Sequence, residues 1–138
     1  MSEPTFIIHD LSHALAVGRA SVELGLPATV QSAPGLATTL GPEAFTAMIE
    51  ETLHACPDNM VVSVLDCGDQ AGTAIGALRR GVKRISANLE TPVLDKISDI
   101  ARQLDAEVVA TSDTALDLLG VADMDRVIRQ HMTDGNRP

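Results

Sequence analysis

The sequence predicts a single α/β domain: five strands in a mostly parallel sheet, with helices on both faces. Short apolar runs alternate with stretches of helical period five times, at spacings of roughly 20 to 30 residues, which is the pattern of right-handed strand–helix–strand crossovers. The run at residues 60–65, MVVSVL, is apolar almost throughout rather than alternating, as expected of a central strand covered on both sides. The 138 residues are too few for a closed eight-stranded barrel, which usually takes about 250. Two strand orders remain: an open flavodoxin-like sheet, 2-1-3-4-5, and half of a barrel with strands in sequential order. The first hides both faces of the central strand without a partner and is the preferred prediction.

The elements follow in order. Residues 5–8 form a first strand, and residues 11–24 a helix with Leu11, Leu15 and Val22 on one face. Residues 28–31 form a weaker second strand, and the small-residue stretch SAPGLATTLG a loop closed by Gly41 and Pro42 as cap and first helical position. The next helix sets Phe45, Met48, Ile49, Thr52 and Leu53 on one stripe. After the strand at 60–65, a helix from about Ala71 to Arg80 stops at Gly81. Residues 84–87 form a fourth strand. Thr91 and Pro92 start a helix whose stripe is Val93, Leu94, Ile97, Ile100, Ala101 and Leu104. Residues 107–110 form a fifth strand, and Ser112 or Asp113 caps a short helix through Leu119. Met124, Val127, Ile128 and His131 mark a last amphipathic helix, and residues from about 133 to 138 a frayed tail.

Composition narrows the function. Nineteen acidic residues against ten basic ones give a net charge of −9, a surface that repels phosphate backbones and anionic membranes. Two Phe and no Trp or Tyr leave no stacking platform for single-stranded nucleic acid and require an aliphatic core. No apolar run approaches the ~20 residues of a membrane helix, and MSEPTF is unlike a secretory signal, so a cytoplasmic location without membrane or nucleic-acid partners is expected. Cys56 and Cys67 flank one strand. At ~3.3 Å per residue that strand separates them by roughly 20 Å, far beyond the span of a disulfide.

Ligands of parallel α/β sheets bind beyond the carboxyl ends of the strands. Those ends carry His9 and Asp10, with His13 one helical turn on, then Ser32, then Asp66, Cys67, Gly68 and Asp69, then Asn88, and finally Ser112 and Asp113. Asp10, Asp69 and Asp113 each precede a helix and suit its N-cap. Asp66 ends a buried strand before the cap position, where a carboxylate needs a partner or a ligand. In the order 2-1-3 the first and third strands are neighbours, so His9, Asp10, His13, Asp66, Cys67 and Asp69 face one crevice. Imidazole, thiolate and carboxylate are the ligand set of zinc, which makes Cys67, His9 and His13 candidate metal ligands. A carboxylate near imidazole also makes Asp66, Cys67 and His9 candidate catalytic groups. Gly68, Gly72 and the following helix start, with Ser32 and Asn88, are candidates to line a small-molecule pocket.

Residues 6 to about 110 resemble the first half of the class II metal-dependent sugar-bisphosphate aldolases. FIIHD holds the place of that family's first strand, ATVQSAPG that of its strand and Pro-Gly loop, SVLDCGD that of its Leu-His-Leu-Asp-His signature, and RRGVKRISANLE that of its next strand. The resemblance implies a βα half-barrel. By position Asp66 matches the aspartate that moves a proton on the sugar, Cys67 replaces the histidine that binds the metal, and Asn88 replaces an aspartate. The family's other metal histidines and its phosphate loop lie in its second half.

The leading expectation is a protein that binds a small polar metabolite around Asp66 and Cys67. A lyase or hydrolase using a divalent metal, zinc for instance, is the alternative. A third is a self-associating module, a homodimer, using the apolar face of the last helix: Met124, Val127, Ile128 and Met132.

Overall fold

The computed structural model describes residues 3–135. These residues form six strands and six helices, in the order β1 (Thr5–Ile8), α1 (Leu11–Leu24), β2 (Ala28–Ser32), α2 (Leu36–Thr39), α3 (Pro42–Ala55), β3 (Val61–Asp66), α4 (Ala71–Arg79), β4 (Arg84–Ser86), α5 (Thr91–Gln103), β5 (Glu107–Val109), β6 (Leu116–Asp117) and α6 (Met124–Gly135). All strand pairs are parallel, in the order β5-β4-β3-β2-β1-β6.

This corrects the expected architecture in three respects. The sheet has six strands, not five. Its order is the sequential march of a half-barrel, extended by β6 beside β1, and not flavodoxin-like 2-1-3-4-5. The helices also share one face. Right-handed crossovers that step one strand at a time deposit every helix on the same side, and α1 accordingly packs between α3 and α6 while α4 packs against α5. Phe6, Ile8, Val30, Leu65 and Ile85 point from the strands into that helical layer, where they meet Val17, Leu78, Ile97, Ile128 and Met132 in one aliphatic core.

The other face is concave. The register sets Thr29 beside Val62, and Gln31 beside Val64. Along β3, Val62, Val64 and Asp66 thus turn away from the helices. The valines look like a doubly covered strand in the sequence because the segment between β5 and β6 roofs this face: Val64 is 4% exposed. β5 and β6 lie at opposite edges, five strand intervals or about 24 Å apart along the sheet. The seven Cα steps from Val109 to Leu116 reach at most about 25 Å when fully extended, and bends at 113 and 114 shorten them. The link spans the edges only because the sheet is curled.

The helix expected from Ser112 or Asp113 to Leu119 does not form. Leu116 and Asp117 instead pair with Phe6 and Ile7 at the open edge of β1, and Leu118 is fully buried. A strand edge and a core socket outweigh the helical preference of so short a piece. The last helix spends its apolar stripe inside the molecule: Ile128 and Met132 are fully buried, and His131 meets the Phe6 ring edge-on at 4.9 Å. It runs to Gly135 through the start of the stretch expected to fray, and residues 136–138 lie outside the described ones.

Close approach of α1 and α3 depends on Gly18, where an added Cβ would sit 3.1 Å from both Cys56 Sγ and Thr52 Cγ2. The end of α1 is tied to the start of β3 by Ser21, fully buried, whose hydroxyl donates to Leu26 O (2.8 Å) and accepts from Met60 N–H (2.9 Å). Ser21→Ala leaves both backbone groups short of a partner. It is expected to cost about 1–3 kcal/mol in urea denaturation followed by circular dichroism.

Candidate functional site

At the carboxyl end of the sheet the polar residues fall into two groups. The first surrounds Asp66, the last residue of β3. Its backbone N–H donates to Ser32 Oγ (2.8 Å) across the β2–β3 pair. Its Oδ1 accepts from Gly68 N–H (3.0 Å) and from Ser86 Oγ (3.2 Å) at the end of β4. The chain can turn back so tightly because Gly68 adopts φ +56°, a left-handed conformation that a side chain would strain. Gly68 O in turn accepts from Asn88 N–H (2.7 Å), which fixes the start of the loop after β4. Oδ2 of Asp66 has no partner among the described residues. No enclosed side-chain oxygen or nitrogen there goes unpaired, so Oδ2 is open to solvent. Gly72, in the first turn of α4, has open space around its Cα.

The second group joins β1 to β6. His9 Nε2 meets Asp117 Oδ1 at 2.7 Å, and His9 N–H donates to His13 Nδ1 at 3.0 Å. That acceptor role leaves the proton of neutral His13 on Nε2. Asp117 is held below its ordinary value, chiefly by the Leu119 N–H its carboxylate accepts, with burial opposing and His9 assisting. Asp10 caps α1 as expected: Oδ1 accepts from His13 N–H (3.0 Å) and Ser12 Oγ (2.6 Å), and the Ser12 bond leads in lowering its pKa. Asp69 does not cap α4. The cap position falls on Gln70, which makes no side-chain cap bond, and Asp69 accepts from Gln70 Nε2 instead. Asp113 has no helix to cap.

The expected single crevice is thereby divided. With β2 between β1 and β3, His9 and Asp66 stand two strand spacings apart, about 10 Å. Cys67 follows Asp66 and so turns to the opposite face, into the helical core. Its thiol is 4% exposed, contacts Leu65 O at 3.8 Å, and is pushed up to about 11 by burial and by the adjacent Asp66 charge. Zinc needs three or four donors at about 2.0–2.3 Å. His9 is committed to Asp117, His13 to the His9 N–H, and Cys67 lies on the far side of the strand. Among the described residues no three His, Cys, Asp or Glu side chains are grouped to hold a metal ion. The donor set does not fit a metal. Both cysteines are free and buried.

Asp117 escapes sequence reasoning because residues 112–119 read there as a helix. The usable signal is small: Asp117 stands between a partly buried Leu116 and a fully buried Leu118, free to face a strand-end histidine.

Comparison with solved structures shows an aldolase-like fold. A structure described as a fructose-1,6-bisphosphate aldolase from Coccidioides immitis superposes with a TM-score of 0.67 at 12% sequence identity, covering 92% of this chain and 52% of that one. The chain therefore spans about half the length of that protein. A second structure, the YdjI aldolase from Escherichia coli K12, gives a TM-score of 0.39 at 8% identity, covering 96% of this chain and 87% of that one. No protein-family profile and no curated protein matches the sequence.

Proposed function

We propose that the protein binds a small polar metabolite at the carboxyl ends of β2, β3 and β4, with Asp66 as the group that reads it. The observation that carries this reading is the half-used carboxylate. Oδ1 is clamped by Gly68 and Ser86 on two sides, while Oδ2 points free at the end of the sheet where parallel α/β folds take their ligands. A carboxylate held so rigidly by one oxygen presents the other as a pre-oriented acceptor for a ligand hydroxyl or amine. The aldolase-like fold agrees with this placement. Among the described residues no donor set is grouped for catalysis through a metal, and binding is the function the geometry supports best.

Asp66→Asn keeps the shape and retains an oxygen for Gly68 N–H, but removes the charge. Screening polar metabolites by thermal shift is expected to yield a ligand whose affinity falls about tenfold or more in Asp66→Asn, equal to at least about 1.4 kcal/mol. Equal affinity in variant and parent would refute this location.

A further inference from the structure

We infer a second small-molecule site, independent of Asp66, on the concave face of the sheet. It takes an uncharged polyhydroxylated molecule of about monosaccharide size. A cavity of about 460 Å³ lies there, floored by Thr5, Thr29, Gln31 and Val64 and roofed by residues 109–114. Its volume falls within the range of small-molecule sites.

Gln31 is the decisive group. It is 4% exposed, yet its carboxamide makes no hydrogen bond with any described residue. Gln31 lines the cavity, which is the open space its amide can reach. Leaving such a group unpaired in a dry interior is unfavourable, so it calls for water or a ligand opposite it. An amide offers two donors and an acceptor oxygen, a match for vicinal hydroxyls.

The rest of the lining agrees. Thr5 and Thr29 both donate their hydroxyl protons to Glu3, to its carbonyl (3.5 Å) and its carboxylate (3.2 Å), so each threonine oxygen is left as an acceptor. Val62 and Val64 supply an apolar strip for the C–H face of a ring. Arg84 is already engaged, its Nε 2.6 Å from Glu107 Oε1, and Glu3 and Asp113 border the same space. The cavity thus holds no spare positive charge, which disfavours an anion. Barrel interiors are normally filled by Val, Ile and Leu. Thr, Thr and Gln at these inward positions suit a wet, hydrogen-bonding occupant rather than close-packed protein.

The test titrates D-glucose, D-ribose and D-mannitol separately into isotope-labelled protein, following the Gln31 side-chain amide and the backbone amides of Thr29 and Val64 by NMR. A hexose phosphate serves as the anionic arm. The expected result is saturable shifts at these positions with at least one neutral probe, weakened about tenfold or more in Gln31→Leu and within about twofold of the parent in Asp66→Asn. If Gln31→Leu does not fold, Val62→Phe, which fills the floor, is expected to abolish the shifts. No saturation with any neutral probe, unchanged binding in the folded cavity variant, or tighter binding of the hexose phosphate would overturn the inference. Loss of binding in Asp66→Asn alone would also overturn it while favouring the strand-end site.

Discussion

Phe6→Ala is expected to lower the free energy of unfolding by about 3–5 kcal/mol. Phe6 sits fully buried in β1, between the paired strands β2 and β6, with its ring against His131 of α6. One substitution therefore empties the space where the edge strand, the first strand and the last helix converge. The neighbours are poorly placed to close it, since strands on both sides hold the β1 backbone and His131 Nε2 is 3.3 Å from Thr5 O. The loss is a large fraction of the about 5–15 kcal/mol that holds most domains folded. The chain has no Trp or Tyr, so circular dichroism in urea rather than intrinsic fluorescence is the measurement. A change below about 1.5 kcal/mol would mean that α6 and β6 do not rest on this ring.

Cys67 is expected to be inert to a thiol reagent such as DTNB in the native protein and reactive on unfolding. With its thiol pushed up to about 11, the thiolate fraction at pH 8 is about 10⁻³, roughly two orders of magnitude below that of an ordinary cysteine. Burial slows the reaction further. Measuring the rate in a Cys56→Ala background isolates the residue. The same shift sets an alkaline limit on stability. The unfolded thiol ionises near its ordinary 9.0, whereas the folded one resists until about 11. The contribution of Cys67 to stability is therefore intact below pH 9 and is lost through this window, on the order of 2–3 kcal/mol for a shift of this size. Cys67→Ala is expected to flatten that decline. With no tyrosine in the chain, few other groups titrate there. Fast modification at pH 8 in the folded protein would show that the thiol is not enclosed by the helical layer.

Local signals were legible where the chain itself supplies both ends of an element. Asp10 caps α1, and Gly25, at φ +63°, ends it, so Leu11–Leu24 follows from sequence to the residue. Gly41 and Pro42 open α3 in the same way. What stayed hidden depends on contacts between distant residues. The apolar β3 has the same composition whether a helix or the 109–114 roof covers Val62 and Val64. Strand order is likewise invisible in any one segment, and only the expected 2-1-3 order sets His9 and Asp66 on one crevice. β6 owes its existence to β1, and with it Asp117 was lost as the partner of His9. Asp66 itself could be singled out from its position alone, because a carboxylate ending an apolar strand calls for the Gly68 and Ser86 hydrogen bonds found there. Gln31 could not. Only the curled sheet makes an ordinary glutamine line a cavity with no hydrogen-bond partner for its amide among the described residues.

The outermost strands are three and two residues long, β5 and β6. A rim that short exposes too few unpaired amides and carbonyls for another polypeptide to zip onto it, and Glu107 and Asp117 add charge to it. Fibril growth by stacking sheet upon sheet edge has little purchase on such a molecule. Crowded solutions of the folded protein are accordingly expected to resist amyloid-type polymerisation for as long as the link between those two rims holds.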